Sequence, residues 1–177
     1  MILTMLAAFV STPQHLTIEL PAGATRSRRL TGRSLMAAGW RLSWDGSAAG
    51  PGNDVARFTL RARPADGVGT VDEIVQIGVG GPGSARDCLT HGLNGGDAKR
   101  LPDRTINGRR WAAWANSDAG MSQQITATDL RTVWRRRCYA VARISYAVKA
   151  TDTPPGLPPQ AQAAAAMDRA LASLRLR

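Results

Sequence analysis

The run Leu130-Arg131-Thr132-Val133-Trp134-Arg135-Arg136-Arg137-Cys138-Tyr139-Ala140-Val141-Ala142-Arg143-Ile144-Ser145-Tyr146-Ala147-Val148 sets the fold class. Its even positions carry Leu130, Trp134, Cys138, Ala140, Ala142, Ile144, Tyr146 and Val148, interrupted by Arg136, while the odd positions carry Arg131, Arg135, Arg137 and Arg143, with Lys149 just beyond. A period of two in a segment rich in β-branched and aromatic residues predicts a half-buried strand, apolar on one face and basic on the other. The same period recurs outward from this run. Ala56, Phe58, Leu60 and Ala62 alternate with Arg57, Thr59, Arg61 and Arg63. Val71, Val75, Ile77 and Val79 make a third apolar row, and Leu16, Ile18 and Leu20 a fourth.

Turn chemistry joins the rows. Asn107-Gly108 between Ile106 and the Arg109–Trp114 stretch predicts a tight hairpin, because the primed turns need positive φ at their central residues. Asp118-Ala119-Gly120 predicts the next reversal, leading into 123–128. Ser84–Leu89 reads as a short helix holding Cys88, and the segment from Gly92 to Asp103 as a loop. After the breaker Pro154-Pro155-Gly156-Leu157-Pro158-Pro159 the chain becomes alanine-rich, with Ala163, Met167, Ala170, Leu171 and Leu174 at helical spacing. Hairpins followed by one late helix predict an α+β domain, an antiparallel sheet with an amphipathic C-terminal helix packed across one face.

The chain has 177 residues, which suits one domain, residues 13–177, preceded by an extension at 1–12. With 44% apolar residues it can bury a core, and no apolar run approaches the ~20 residues of a membrane-spanning helix. Its formal net charge is +10, and all but Lys99 and Lys149 of its 23 basic residues are arginine. Arginine-rich coding or selection for bidentate anion contacts would each give that ratio, and either predicts salt-sensitive attraction to polyanions.

Residues 2–10 are apolar and lead into Ser11-Thr12-Pro13 with no preceding cation. They read either as the remnant of a secretory signal or as a first element of the domain. Cys88 and Cys138 are the cysteines of the chain, and an even count in a small basic protein predicts a disulfide and with it a periplasmic or secreted setting. Closing a loop of roughly 50 residues stabilises on the order of 4 kcal/mol in the chain-entropy account.

Four pieces in order, Gly39-Trp40, Ile106-Asn107-Gly108-Arg109-Arg110-Trp111, Arg137-Cys138-Tyr139-Ala140-Val141 and Leu171-Ala172-Ser173-Leu174-Arg175-Leu176, resemble the small secreted bacterial proteins that share the fold of PsbP, the extrinsic photosystem II protein. The resemblance spans residues 35–176. It implies a PsbP-like α+β sandwich and a binding or assembly role without catalysis, and it transfers no functional residue.

Catalytic patterns are weak. Gly78-Val79-Gly80-Gly81-Pro82-Gly83 satisfies G-x-G-x-x-G, but no parallel crossover follows it, so it reads as a glycine turn. Cys88 and His91 would share a helix face, but two ligands are too few for a structural zinc site and a disulfide would consume the thiol. His15, in the first strand, is the other histidine, and no G-x-S-x-G elbow exists. The expectation is therefore a protein that is not an enzyme and has no cofactor and no metal.

If the two arginine rows share one sheet, Arg57, Arg61, Arg63, Arg131, Arg135, Arg137 and Arg143 emerge on a common basic face, with Trp111 on its border as a stacking surface. The functional expectation is an exported binding module that recognises an acidic protein or an anionic envelope polymer, with no specific nucleic acid and no membrane span. The alternative is a periplasmic inhibitor or immunity protein that inserts the 92–103 segment into an enzyme.

Overall fold

The computed structural model describes residues 7–27, 53–81, 85–86, 88–89, 98–120, 122–150 and 152–177. In chain order these form β1 (Ala7–Ser11), β2 (Leu16–Leu20), β3 (Thr25–Arg26), β4 (Asn53–Ala62), β5 (Thr70–Val79), β6 (Lys99–Ile106), β7 (Arg109–Gly120), β8 (Gln123–Trp134), β9 (Arg137–Val148), α1 (Gln160–Ser173) and β10 (Arg175–Leu176). The larger sheet has strand order β3-β4-β5-β9-β8-β7-β6, and β1-β2-β10 form a smaller one. Every strand pairing is antiparallel.

The run from Leu130 to Val148 is a hairpin, not one strand. Trp134 pairs with Arg137, so Arg135 and Arg136 are the two turn residues, both at positive φ (48° and 60°). Reversing the chain there changes the faces. Leu130 lies across from Val141, whereas Arg131 lies across from Ala140 and Val133 across from Cys138. The odd residues Tyr139 and Val141 therefore join the core beneath α1, and the even residues Cys138, Ala140, Ala142 and Ile144 form a second cluster with Ile74, Ile125, Ala127 and Cys88. Strand β9 is buried on both faces. Its near-continuous apolar stretch from 138 to 142 is the sequence mark of such a strand.

The other apolar rows fall as expected. Ala56, Phe58, Leu60 and Ala62 of β4, and Val71, Val75, Ile77 and Val79 of β5, are buried. They meet Leu16 and Ile18 of β2 and the α1 stripe Ala163, Met167, Ala170 and Leu171. Burying a side chain such as Phe58 or Met167 contributes about 1.5–3 kcal/mol, which holds α1 and the smaller sheet on one face of the larger. The helix is pinned at its entrance, where Gln160 N donates to Arg63 O (2.9 Å) and Arg63 N donates to Pro158 O (2.9 Å).

Several boundaries differ from the sequence expectations. The Asn107-Gly108 turn is present, with φ of 46° and 75°. Strand β7 runs on through Gly120, which pairs with Gln123, so the reversal falls beyond the expected Asp118-Ala119-Gly120. Lys99–Asp103 is not loop but the first part of β6, because it pairs with β7 up to a register shift between Leu101 and Arg104. Residues 85–86 and 88–89 are turn rather than helix, with Cys88 N donating to Ala85 O. His15 lies not in a strand but in the turn between β1 and β2, at φ 54°. Gly39-Trp40, His91, residues 92–97 and Pro82-Gly83 lie outside the described residues.

Candidate anion-binding surface

The expected basic face does not form as one layer. Arg57 and Arg61 share a side of the larger sheet, where Arg61 Nε donates to Asp72 Oδ1 across the strand pair at 2.7 Å. That carboxylate raises the already high pKa of the guanidinium. Arg63 is exposed at the end of β4, beside Pro159. Arg131 points to the same side as Arg57 but is fully buried, and its Nη1 donates to the carbonyl of Cys88 at 3.1 Å. Arg143 and Arg137 point to the opposite side, in register with Val75 and Trp134. Trp111 is 1% exposed in the core beneath α1, so it borders no surface. The cause is the two-residue turn, which splits the arginine row between β8 and β9, together with burial of both faces of β9.

The same turn assembles a different cluster at one end of the sheet. Arg135 lies over the Trp134 ring at 4.2 Å from its centroid, and Arg109, the first residue of β7, lies over the same ring at 5.5 Å. The ring edge is packed by His15 (5.9 Å) and Tyr139 (5.8 Å). The Tyr139 hydroxyl in turn donates to Gln14 O at 2.9 Å, which fixes the β1–β2 turn against the indole. Arg136 is exposed at the tip and Arg137 half-exposed beside it. Arg177 reaches this end too, its amide donating to His15 O at 2.7 Å.

Charge balance distinguishes this end from the rest of the surface. Ion pairs among the described residues include Arg61 with Asp72, Arg100 and Arg110 with Asp103, and Arg143 with Glu73 and Asp168. None of them neutralises Arg109, Arg135, Arg136 or Arg137. Arg100 and Arg110 hold the Asp103 carboxyl below its ordinary range. At the basic end, burial raises the Tyr139 hydroxyl pKa, and Arg137, Arg135 and Arg109 pull it back down. Like charges gathered on one aromatic ring repel one another, and an anion lying across them relieves that repulsion while accepting charge-assisted hydrogen bonds.

A second concavity lies between α1 and the outer strands. It encloses about 1010 Å³ and is lined by Lys99, Arg104, Ser117, Thr128, Gln160 and Asp168 among others. At its floor Glu73 is bound by Arg143 (2.7 Å) and by the Ser145 hydroxyl (2.9 Å), and Arg143 also holds Asp168 and the Ala164 carbonyl. Both carboxylates are thus occupied in clamping the helix to the sheet. Among the described residues, no group of three or more His, Cys, Asp or Glu is placed to hold a metal ion.

Cys88 and Cys138 form the expected disulfide, Cα–Cα 5.2 Å, which fastens Cys88 and its neighbour Leu89 to the start of β9 beside the basic turn. No described helix is long and apolar enough to cross a membrane.

No family model matches the chain, and no curated protein matches it. Solved structures similar to it include the following two. One is a protein of Bacteroides thetaiotaomicron, 13% identical with a TM-score of 0.48, for which the match covers 96% of this chain and 48% of the other, so this chain spans about half its length. The other is the solution structure of cyanobacterial PsbP (CyanoP) from Synechocystis, 11% identical with a TM-score of 0.43, covering 99% of this chain and 94% of that one. The described residues form the α+β architecture expected from the sequence, an antiparallel sheet with a single C-terminal helix.

Proposed function

We propose that the chain is a non-catalytic, exported module that binds an anionic partner through the arginine cluster around Trp134. The observation that carries this reading is the pair of guanidiniums, Arg135 and Arg109, both within 5.5 Å of one indole centroid and neither engaged by a carboxylate among the described residues. Two further features support it. Arg135 and Arg136 occupy positive-φ turn positions where Asn-Gly is the unstrained choice, a local cost that persists where the side chains are needed. The net charge of +10 steers any polyanion toward the molecule. Export is supported by the disulfide, which persists in oxidising compartments.

The test compares two charge reversals on an anionic column. Arg109→Glu with Arg135→Glu and Arg136→Glu should elute far earlier than the parent protein. Arg57→Glu with Arg61→Glu changes fewer charges on another side, and should shift elution modestly. Equal shifts per charge removed would mean that the protein responds to net charge alone, and the site assignment fails.

A further inference from the structure

Four large hydrophobic side chains among the described residues are exposed: Val10 (58%), Val68 (48%), Leu89 (45%) and Val133 (41%). Two of them lie on segments that the disulfide joins. Val133 pairs across the β8–β9 hairpin with Cys138, and Cys138 is bonded to Cys88, whose neighbour is Leu89. The disulfide therefore holds Leu89 beside the hairpin end that carries Val133. Exposed cations flank both apolar side chains: Arg86 precedes Leu89, and Arg135 and Arg136 follow Val133. Trp134 points to the opposite face of β8 from Val133, where its ring packs against His15 and Tyr139.

We infer that this end of the molecule, the β8–β9 hairpin tip together with Arg86 and Leu89 beside the stapled Cys88, docks on the surface of an anionic phospholipid bilayer. The inference rests on the proposed function and names its partner. A soluble polyanion offers phosphates or carboxylates but nothing for Leu89 and Val133. A bilayer surface offers both, phosphates at the level of the guanidiniums and hydrocarbon a few ångströms deeper. Arginine grips phosphate oxygens bidentately. Each cation near an anionic leaflet strengthens binding roughly fivefold at physiological ionic strength, and the attraction fades within a Debye length. The mode is surface attachment, with no segment crossing.

The experiment is co-sedimentation of the intact, oxidised protein with vesicles of phosphatidylcholine alone and with vesicles containing phosphatidylglycerol. The protein should pellet with the second kind and stay in solution with the first. Arg135→Glu with Arg136→Glu should weaken vesicle binding by at least about twentyfold, given the per-cation factor above. Leu89→Ser with Val133→Ser should weaken it about tenfold or more through lost apolar burial, and should leave retention on an anionic column unchanged. Both double variants alter exposed side chains, and their thermal unfolding should match the parent. Equal binding to the two vesicle types would overturn the electrostatic docking. Column retention without vesicle binding, or vesicle binding indifferent to Leu89 and Val133, would overturn the bilayer assignment in favour of a soluble polyanion while leaving the proposed function standing. Loss of the arginine effect in both assays would sink the two together.

Discussion

Arg143 reaches under the helix to Glu73, its Nη1 2.7 Å from the Glu73 Oε2, with the two side chains 11% and 1% exposed. On its other edge the same guanidinium takes Asp168 of α1 at 2.8 Å. A residue that sits on the basic side of an alternating row is thus a clamp between sheet and helix. Removing one partner of a buried pair strands a charge in a low-dielectric site, so Glu73→Gln and Arg143→Met should each lower unfolding free energy by about 3–5 kcal/mol in urea titrations. Asp168 is 64% exposed, and Asp168→Asn should cost under about 1 kcal/mol because solvent screens that arm. Equal losses at 73 and 168 would contradict the clamp.

The hairpin tip at Asn107 closes the other end of the helix. Its side-chain amide donates to the carbonyls of Ala172 (2.9 Å) and Leu174 (2.8 Å), acceptors that the helix end leaves open. Asn107→Gly keeps the φ of 46° accessible and removes only these bonds, a loss of about 1 kcal/mol. Asn107→Ala adds backbone strain and should cost about 1 kcal/mol more, measurable as a further drop in the denaturation midpoint.

Alkaline stability should report on Tyr139. Burial raises its folded-state pKa above the ordinary 10.0, so the folded protein holds the phenolic proton more tightly than the unfolded chain. Stability from this group is complete below pH 10 and declines as pH rises through the folded value. Tyr139→Phe should remove that decline, while losing about 1 kcal/mol at neutral pH with the hydrogen bond to Gln14 O. Parallel pH profiles for the two proteins would show that Tyr139 does not set the alkaline limit.

At the acid limit the sign reverses. Asp103 is held below its usual range by Arg100 and Arg110, so its contribution is present above the unfolded carboxylate pKa and fades as pH falls through the lower folded value. Thermal melts of Asp103→Asn against the parent should converge as pH falls through that lowered folded value, below the ordinary carboxylate range.

Reduction should loosen the far face of the sheet. The disulfide joins residues 50 apart in sequence, and the Cys88→Ala, Cys138→Ala double variant should lose about 4 kcal/mol by the chain-entropy estimate. Unchanged stability in guanidinium would place residues 88–89 in native contact without the bridge.

The apolar rows of β2, β4 and β5, the Asn107-Gly108 turn, the α1 stripe and the disulfide were legible because each follows from local spacing or composition. The candidate site was not. Arg131, Arg137 and Arg143 lie in one alternating row of the sequence, yet the turn at Arg135-Arg136 and the packing of both faces of β9 send them to different places. The signal available was the unbroken apolar run from Cys138 to Ala142, which marks a strand covered on both sides.

Alternation and turn chemistry act between neighbours a few residues apart, so the chain alone determined the Asn107-Gly108 reversal, which rows are greasy and how much positive charge it carries. Which arginines meet carboxylates, and which converge on Trp134, depended on register between strands distant in sequence. A one-residue change of register exchanges every side chain between faces, and no period within a single strand specifies it.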